Sequence, residues 1–210
     1  MKGLLLKDFY MTLKYCKTHL ALCALFVVLI YTQPESSAFF LFYPCLLMGM
    51  LPITLLAYDE RSGWETYSAT LPYRRSDVVA GQYIFALIAQ IVCALLVSAA
   101  QAARQMQDGT LSWPGILGVM FAMLLASMIS TAVILPCVFK MGVEKGRIAY
   151  YIVIVAVVGL GGFLMARIPT AQLTITLSKS WLSPVLALVC AAVFALSWAL
   201  SVVFYRKREL

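Results

Sequence analysis

An all-α integral membrane protein is the fold class this sequence predicts, and three observations carry the prediction. Of 210 residues, 63% are hydrophobic and 12% charged, whereas soluble domains run nearer half apolar and a quarter charged. The apolar residues gather into six long uncharged runs, at about 18–34, 36–58, 78–103, 112–139, 148–166 and 181–205. Each reaches or approaches the ~20 residues that cross a hydrocarbon core of ~30 Å as helix. The runs are continuous rather than alternating, which excludes barrel strands. Backbone amides in lipid have only one another to bond, which leaves helix. A net charge of +7 would raise nucleic acid as a partner for a soluble chain; here the placement of the cations points to the bilayer instead, and no nucleic-acid partner is expected.

Residues 1–17 read as an amphipathic elbow helix ahead of a six-helix transmembrane domain at 18–210. Leu6, Phe9, Leu13, Cys16 and Leu20 step by three and four along one helical face, with Lys7, Asp8 and Lys14 on the other side. Such a helix lies in the membrane interface, its basic flanks against anionic headgroups; a plain topogenic anchor is the alternative. The first span is the shortest, bounded tightly by Lys17 and Glu35, and without small-residue cleavage chemistry after it the segment reads as retained. The connections near 33–37, 104–112 and 167–179 are short and leave no room for a folded outer domain. Pro44, Pro52, Pro114, Pro136 and Pro184 are expected to kink or end helices.

Alternating the spans places all but three of the 16 cations on one side. Lys2, Lys7, Lys14, Lys17, Arg61, Arg74, Arg75, Lys140, Lys145, Arg147, Arg206, Lys207 and Arg208 face one compartment, against Arg104, Arg167 and Lys179. By the positive-inside rule the first group is cytoplasmic, with both termini. A multi-pass protein of the cell membrane, of bacterial type, is expected.

The cytoplasmic loop 59–77 reads DERSGWETYSATLPYRRSD. Trp64, Tyr67, Ser68 and Leu71 share a helical face that Pro72 terminates. Aromatic anchors ringed by Glu60, Arg61 and Glu65 have the composition of a protein-docking surface.

Chemistry is sparse elsewhere. Phosphate-binding GxxxxGK[ST], zinc-binding HExxH and nucleophile GxSxG patterns are missing from the sequence, and the nine acids lie outside the apolar centres of the runs. No catalytic residue and no cofactor of its own are therefore expected, nor a proton-coupled carrier. Six scattered cysteines and the single His19 give no clustered ligand set, so no metal is expected and the thiols read as apolar packing. Gly159, Gly161 and Gly162 read as close helix-packing positions. Polar residues within the runs include Thr54, Gln82 and Gln90; these three could line a weakly polar translocation path, while the bland reading of the glutamines is hydrogen bonding between helices.

The chain resembles permeases of the type 2 ABC export superfamily. The likeness rests on the elbow, the six spans and the stretch Tyr58-Asp59-Glu60-Arg61-Ser62-Gly63-Trp64-Glu65, followed by Leu71-Pro72-Tyr73-Arg74-Arg75-Ser76-Asp77-Val78-Val79. It is similar to the "DE...GWE.Y...LP..R..VV..KY" pattern of small permeases that include phenol-soluble-modulin exporters, with Gln82-Tyr83 where those often carry Lys-Tyr. The resemblance implies a transmembrane subunit without ATPase activity that forms an export path for amphipathic peptides or hydrophobic compounds. It pairs with a second permease copy or a homologous permease, and with cytoplasmic ATPase subunits that hold ATP and Mg. Residues 59–77 would contain the coupling helix, with Trp64, Tyr67 and Leu71 as anchors and Glu60, Arg61 and Glu65 at the rim. A rival expectation is a non-transporting assembly or immunity protein that recruits a soluble partner through the same loop.

Overall fold

A computed structural model describes residues 2–32, 38–64, 67, 75–167 and 182–207. Regular structure among the described residues is helical throughout, with eight helices of defined extent. They are α1 (Lys2–Tyr15), α2 (Lys17–Thr32), α3 (Ala38–Gly49), α4 (Leu51–Ser62), α5 (Arg75–Gln107), α6 (Trp113–Met141), α7 (Val143–Arg167) and α8 (Leu182–Lys207).

Four spans are long and apolar enough to cross a membrane among the described residues: Phe40–Ser62, Ser76–Gln107, Trp113–Met141 and Pro184–Tyr205. A fifth is reached if α1 and α2, bent by 75° at Cys16, count as one broken span. Six were expected. The run at 18–34 forms α2, whose 16 residues rise only ~24 Å, short of the ~30 Å core. The run at 148–166 forms helix within α7, and the side chains of 160–167 lie outside the described residues.

At two interruptions of the backbone ladder a neighbouring helix takes up the carbonyl left free. Pro52 opens α4, and at the break Met50 donates its N–H to Leu47 rather than to Leu46. The Leu46 carbonyl is taken up by the Tyr150 hydroxyl of α7. Pro136 lies inside α6 and has no N–H to give the carbonyl of Ala132; Ser197 of α8 donates its Oγ–H there at 2.5 Å. In a bilayer no water could make that repair, so the neighbouring helix must. At the other end of the bundle Arg104 donates to the carbonyls of Ile30 and Tyr31 at 3.4 and 3.3 Å, capping the end of α2.

The core has two parts. One gathers Cys16, Ile30, Cys45, Leu55, Val97 and Met123 from α2 to α6. The other gathers Ile53, Val79, Tyr83, Leu135, Phe139 and Tyr150, with α8 contributing Tyr205. Tyr83 is anchored to α8 by bonds of 2.7 Å to both Ser197 and Ser201. The sulfurs of Cys23 and Cys93 meet at 3.6 Å in the first core. Outward faces are apolar: Leu188 and Val155 are 71% exposed, beside Ile152 and Leu196. Polar inside and hydrocarbon outside is the arrangement lipid demands. Gly159 differs from its expected packing role, since a Cβ there would meet no atom within 4 Å in this chain.

Candidate functional site

The 14 residues of α1 carry one apolar stripe and one of mixed polarity. Leu6, Phe9, Tyr10 and Leu13 are exposed, whereas Leu4, Asp8 and Thr12, spaced by four, are buried. Lys7 and Asp8 do lie opposite the stripe of Leu6, Phe9 and Leu13, but that side of the helix is pressed against protein rather than turned to headgroups. Lys14, expected on that side with them, stays exposed.

What receives it is the junction of α4 and α5. Lys7 reaches the last turn of α4 and donates to both carboxylate oxygens of Asp59, at 2.9 and 2.7 Å. The same ammonium lies 3.3 Å from Asp8 Oδ1 and 4.6 Å from the centre of the Trp64 ring. Asp8 Oδ2 accepts from Gln82 Nε2, in the second turn of α5, at 3.2 Å. Leu4 lies beside Gly81 on the same helix, where a Cβ would sit 3.9 Å from that of Leu4. One cation thus bridges two carboxylates, one on α1 and one on α4, and an amide adds α5.

Among the described residues the site is short of one positive charge. Asp8 is 2% exposed and Asp59 5%, and Lys7 is the one cation in direct contact with both. Among the described residues Gln82 Oε1 and Trp64 Nε1 are buried without a hydrogen-bond partner, and Asp8 Oδ1 has the Lys7 ammonium at 3.3 Å. Burial pushes the Asp8 carboxyl up to about 6; Lys7 opposes the shift and the Asp59 charge adds to it.

The chain leaves the cluster through Gly63, which caps α4 in the left-handed region at φ 68° and donates its N–H to the carbonyls of Asp59 and Glu60. Helix resumes at once, with Tyr67 N–H on the carbonyl of Gly63 at 3.3 Å. The rings of Trp64 and Tyr67 meet at 5.5 Å; Trp64 is half-buried over Lys7 and Tyr67 is 58% exposed. Of the predicted docking residues, Glu60 and Arg61 lie in the last turn of α4 and Trp64 and Tyr67 stack just beyond it. Glu65 and Leu71 lie outside the described residues.

The three predicted path residues do not come together. Thr54 bonds its own helix at Met50, Gln82 serves Asp8, and Gln90 is fully buried and donates to Thr131 Oγ1 at 2.5 Å and to the Ser127 carbonyl at 3.2 Å. Both glutamines bond to other helices of the same chain. Sequence reasoning missed Lys7, Asp8 and Asp59 as a unit. The one signal for it was an acid spaced four residues from both Leu4 and Thr12, a stripe that competes with the more apolar one.

Among the described residues no group of three or more metal-ligating side chains could hold an ion. A family model described as ABC-2 family transporter protein matches residues 3–206. Neither a curated protein nor a solved structure matches the chain.

Proposed function

Because the chain belongs to the ABC-2 family of transporter proteins, and so is a multi-pass membrane permease of an ABC transporter, we propose that it is an exporter permease driven by separate ATPase subunits through its 59–77 segment. The observation that carries this reading is the Lys7 bridge. It fastens α1 and the end of α4 to one another, with Gln82 joining α5, beside the exposed Tyr67.

The mechanism follows from those attachments. The ATPase subunits, which hold ATP and Mg, seat the Trp64–Tyr67 turn, with Glu60, Arg61, Glu65 and Leu71 completing the contact. Closure of the ATPase pair pushes on that turn. Gly63 is the joint through which the push enters α4, and the charged cluster prevents α1 and α5 from lagging behind. A rigid three-helix unit then moves against the α6–α8 part of the bundle, and access changes at the contact with a second permease. The energy bias comes from nucleotide; this chain supplies two arrangements and a passage.

The cargo class follows from the walls. Gln82 and Gln90 are taken up by bonds inside the chain, so what is left to face a passage between two permeases is apolar surface, with Ile152, Val155, Leu188 and Leu196 exposed. Such walls suit amphipathic peptides or hydrophobic compounds, not ions. Both termini lie in the cytoplasm in this reading, with the cluster on that face. Replacing Trp64 and Tyr67 together by Ala should leave insertion intact, reduce nucleotide-dependent association with the ATPase, and abolish transport in reconstituted vesicles. Full transport by that variant would refute the coupling role.

A further inference from the structure

A groove of about 500 Å³ opens beneath α1. Phe9 and Leu13 of α1 form its roof, and it descends between α2 and α5 along Leu20, Ala24 and Val28 on one side and Phe85 to Leu96 on the other. Its floor is closed by buried Met48 and Leu51. The volume falls within the range of small-molecule sites, but the lining is almost entirely hydrocarbon.

Three features identify what fills it. From Leu20 to Val28 the groove runs ~12 Å along α2, and from Phe85 to Leu96 ~16 Å along α5. That is about half of a ~30 Å core, the depth of one leaflet. Lys17 occupies the same stripe of α2 one turn before Leu20, and Lys14 follows Leu13 of the roof. Both lysines are exposed and neither forms an ion pair among the described residues. Lys17 moreover begins α2, where the helix dipole disfavours a cation until an anion joins it. Apolar depth of one leaflet under a cationic lip matches an amphiphile with one buried chain and an anionic head.

We propose that this groove binds one acyl chain of an anionic glycerophospholipid, with the headgroup at Lys17 and Lys14. The site depends on the chain being embedded in a bilayer and is independent of the coupling reading. It gives α1 a lipid seat opposite its protein seat at Asp59 and Gln82.

Photo-crosslinking tests it on the full chain in nanodiscs of phosphatidylcholine doped with phosphatidylglycerol that carries a diazirine in one chain. Adducts are expected at Ala24, Val28 and Val92 well above those at the outward-facing Leu188 and Val155. Unlabelled phosphatidylglycerol should displace them and phosphatidylcholine should not. Lys17→Gln should lower the preference for the anionic lipid about five-fold, the effect of one surface cation on an anionic headgroup. Ala24→Trp should remove the groove adducts and leave those at Leu188; if that variant does not fold, Val28→Phe makes the same test. Equal yields at Val28 and Leu188, or equal competition by phosphatidylcholine, would overturn the proposal. So would disulfide-linked dimers formed by an Ala24→Cys variant and not by the parent chain, which would make the groove a protein interface.

Discussion

Replacing Lys7 by Met tests the bridge most directly. Its side chain is 20% exposed while those of Asp8 and Asp59 are 2% and 7% exposed, so the variant strands two nearly dry carboxylates. Removing one partner of a buried ion pair costs about 3–5 kcal/mol; partial wetting of the lysine argues for the lower end, about 3 kcal/mol. Loss of the contact with the Trp64 ring adds about 0.5–1 kcal/mol. Asp59→Asn should cost less, about 1–2 kcal/mol, because Lys7 keeps Asp8 at 3.3 Å whereas neither acid has a second cation in contact. The assay is hydrogen exchange of the α1 amides in the detergent-solubilised protein, which reads local opening rather than global unfolding. Lys7→Met should speed that exchange about 300- to 700-fold, Asp59→Asn about ten-fold, and Lys14→Met hardly at all. If Asp59→Asn matched or exceeded Lys7→Met, or both behaved like Lys14→Met, the ammonium would not be what holds α1 in place.

Acidity should act on the same joint. A carboxyl raised to about 6 is better tolerated when protonated, so docking of α1 is strongest below about pH 4 and weakens as the pH rises through about 6. The swing is as much as about 3 kcal/mol, and Asp8→Asn should remove the Asp8 share of it, leaving a shallower slope of the same sign from Asp59, whose carboxyl burial also raises. Gly63→Ala should cost about 1–2 kcal/mol from the left-handed backbone with no steric part, since a Cβ there meets no atom within 4 Å. Gly63→Asn should recover most of that in thermal unfolding, and equal losses from Ala and Asn would show that φ is not the cause. Deep in the bundle, Gln90→Leu and Thr131→Val in a double-mutant cycle should couple by about 0.6 kcal/mol, the mean for such bonds in membranes. Strict additivity would show that the 2.5 Å contact contributes nothing.

The helices were legible wherever hydrophobicity was continuous, since a run such as 112–139 leaves the backbone no other choice in lipid. The interruptions at Pro52 and Pro136 were legible as well, whereas the 75° bend at Cys16 was not, since Leu13, Cys16 and Leu20 read as one helical stripe. The partners that repair those interruptions were not legible either, because Tyr150 and Ser197 lie far along the chain and only packing brings them to Leu46 and Ala132. The α1 helix shows the same boundary more sharply. Its period correctly set Leu6, Phe9 and Leu13 on one face, but amphipathicity cannot say which face meets protein. In water the apolar face would turn inward; beside a bilayer it turns outward and the charged face is buried. The neighbouring rings of Trp64 and Tyr67 were legible from their spacing of three. Their attachment to Lys7 was not, because no local pattern ties residue 7 to residue 59.

Where the charges sit explains why a bridge of this kind can serve a moving part. At mid-bilayer an excess carboxylate would cost several kcal/mol and lock the helices into whichever arrangement paired it. In full water an ion pair of the same geometry would contribute under about 1 kcal/mol and hold nothing. The cluster occupies the zone between, at the last turn of α4 and the second turn of α5, with its one lysine still touching solvent. In the proposed coupling that interaction makes three helix ends move as one body, and an acid with no second cation among the described residues leaves it open to adjustment by a proton. Gly63 completes the logic: immediately after a rigid junction the chain needs a joint that side chains do not constrain, and a left-handed glycine in open space supplies one. A permease worked through the turn beyond that glycine transmits force into the cluster first, and only through it into the spans.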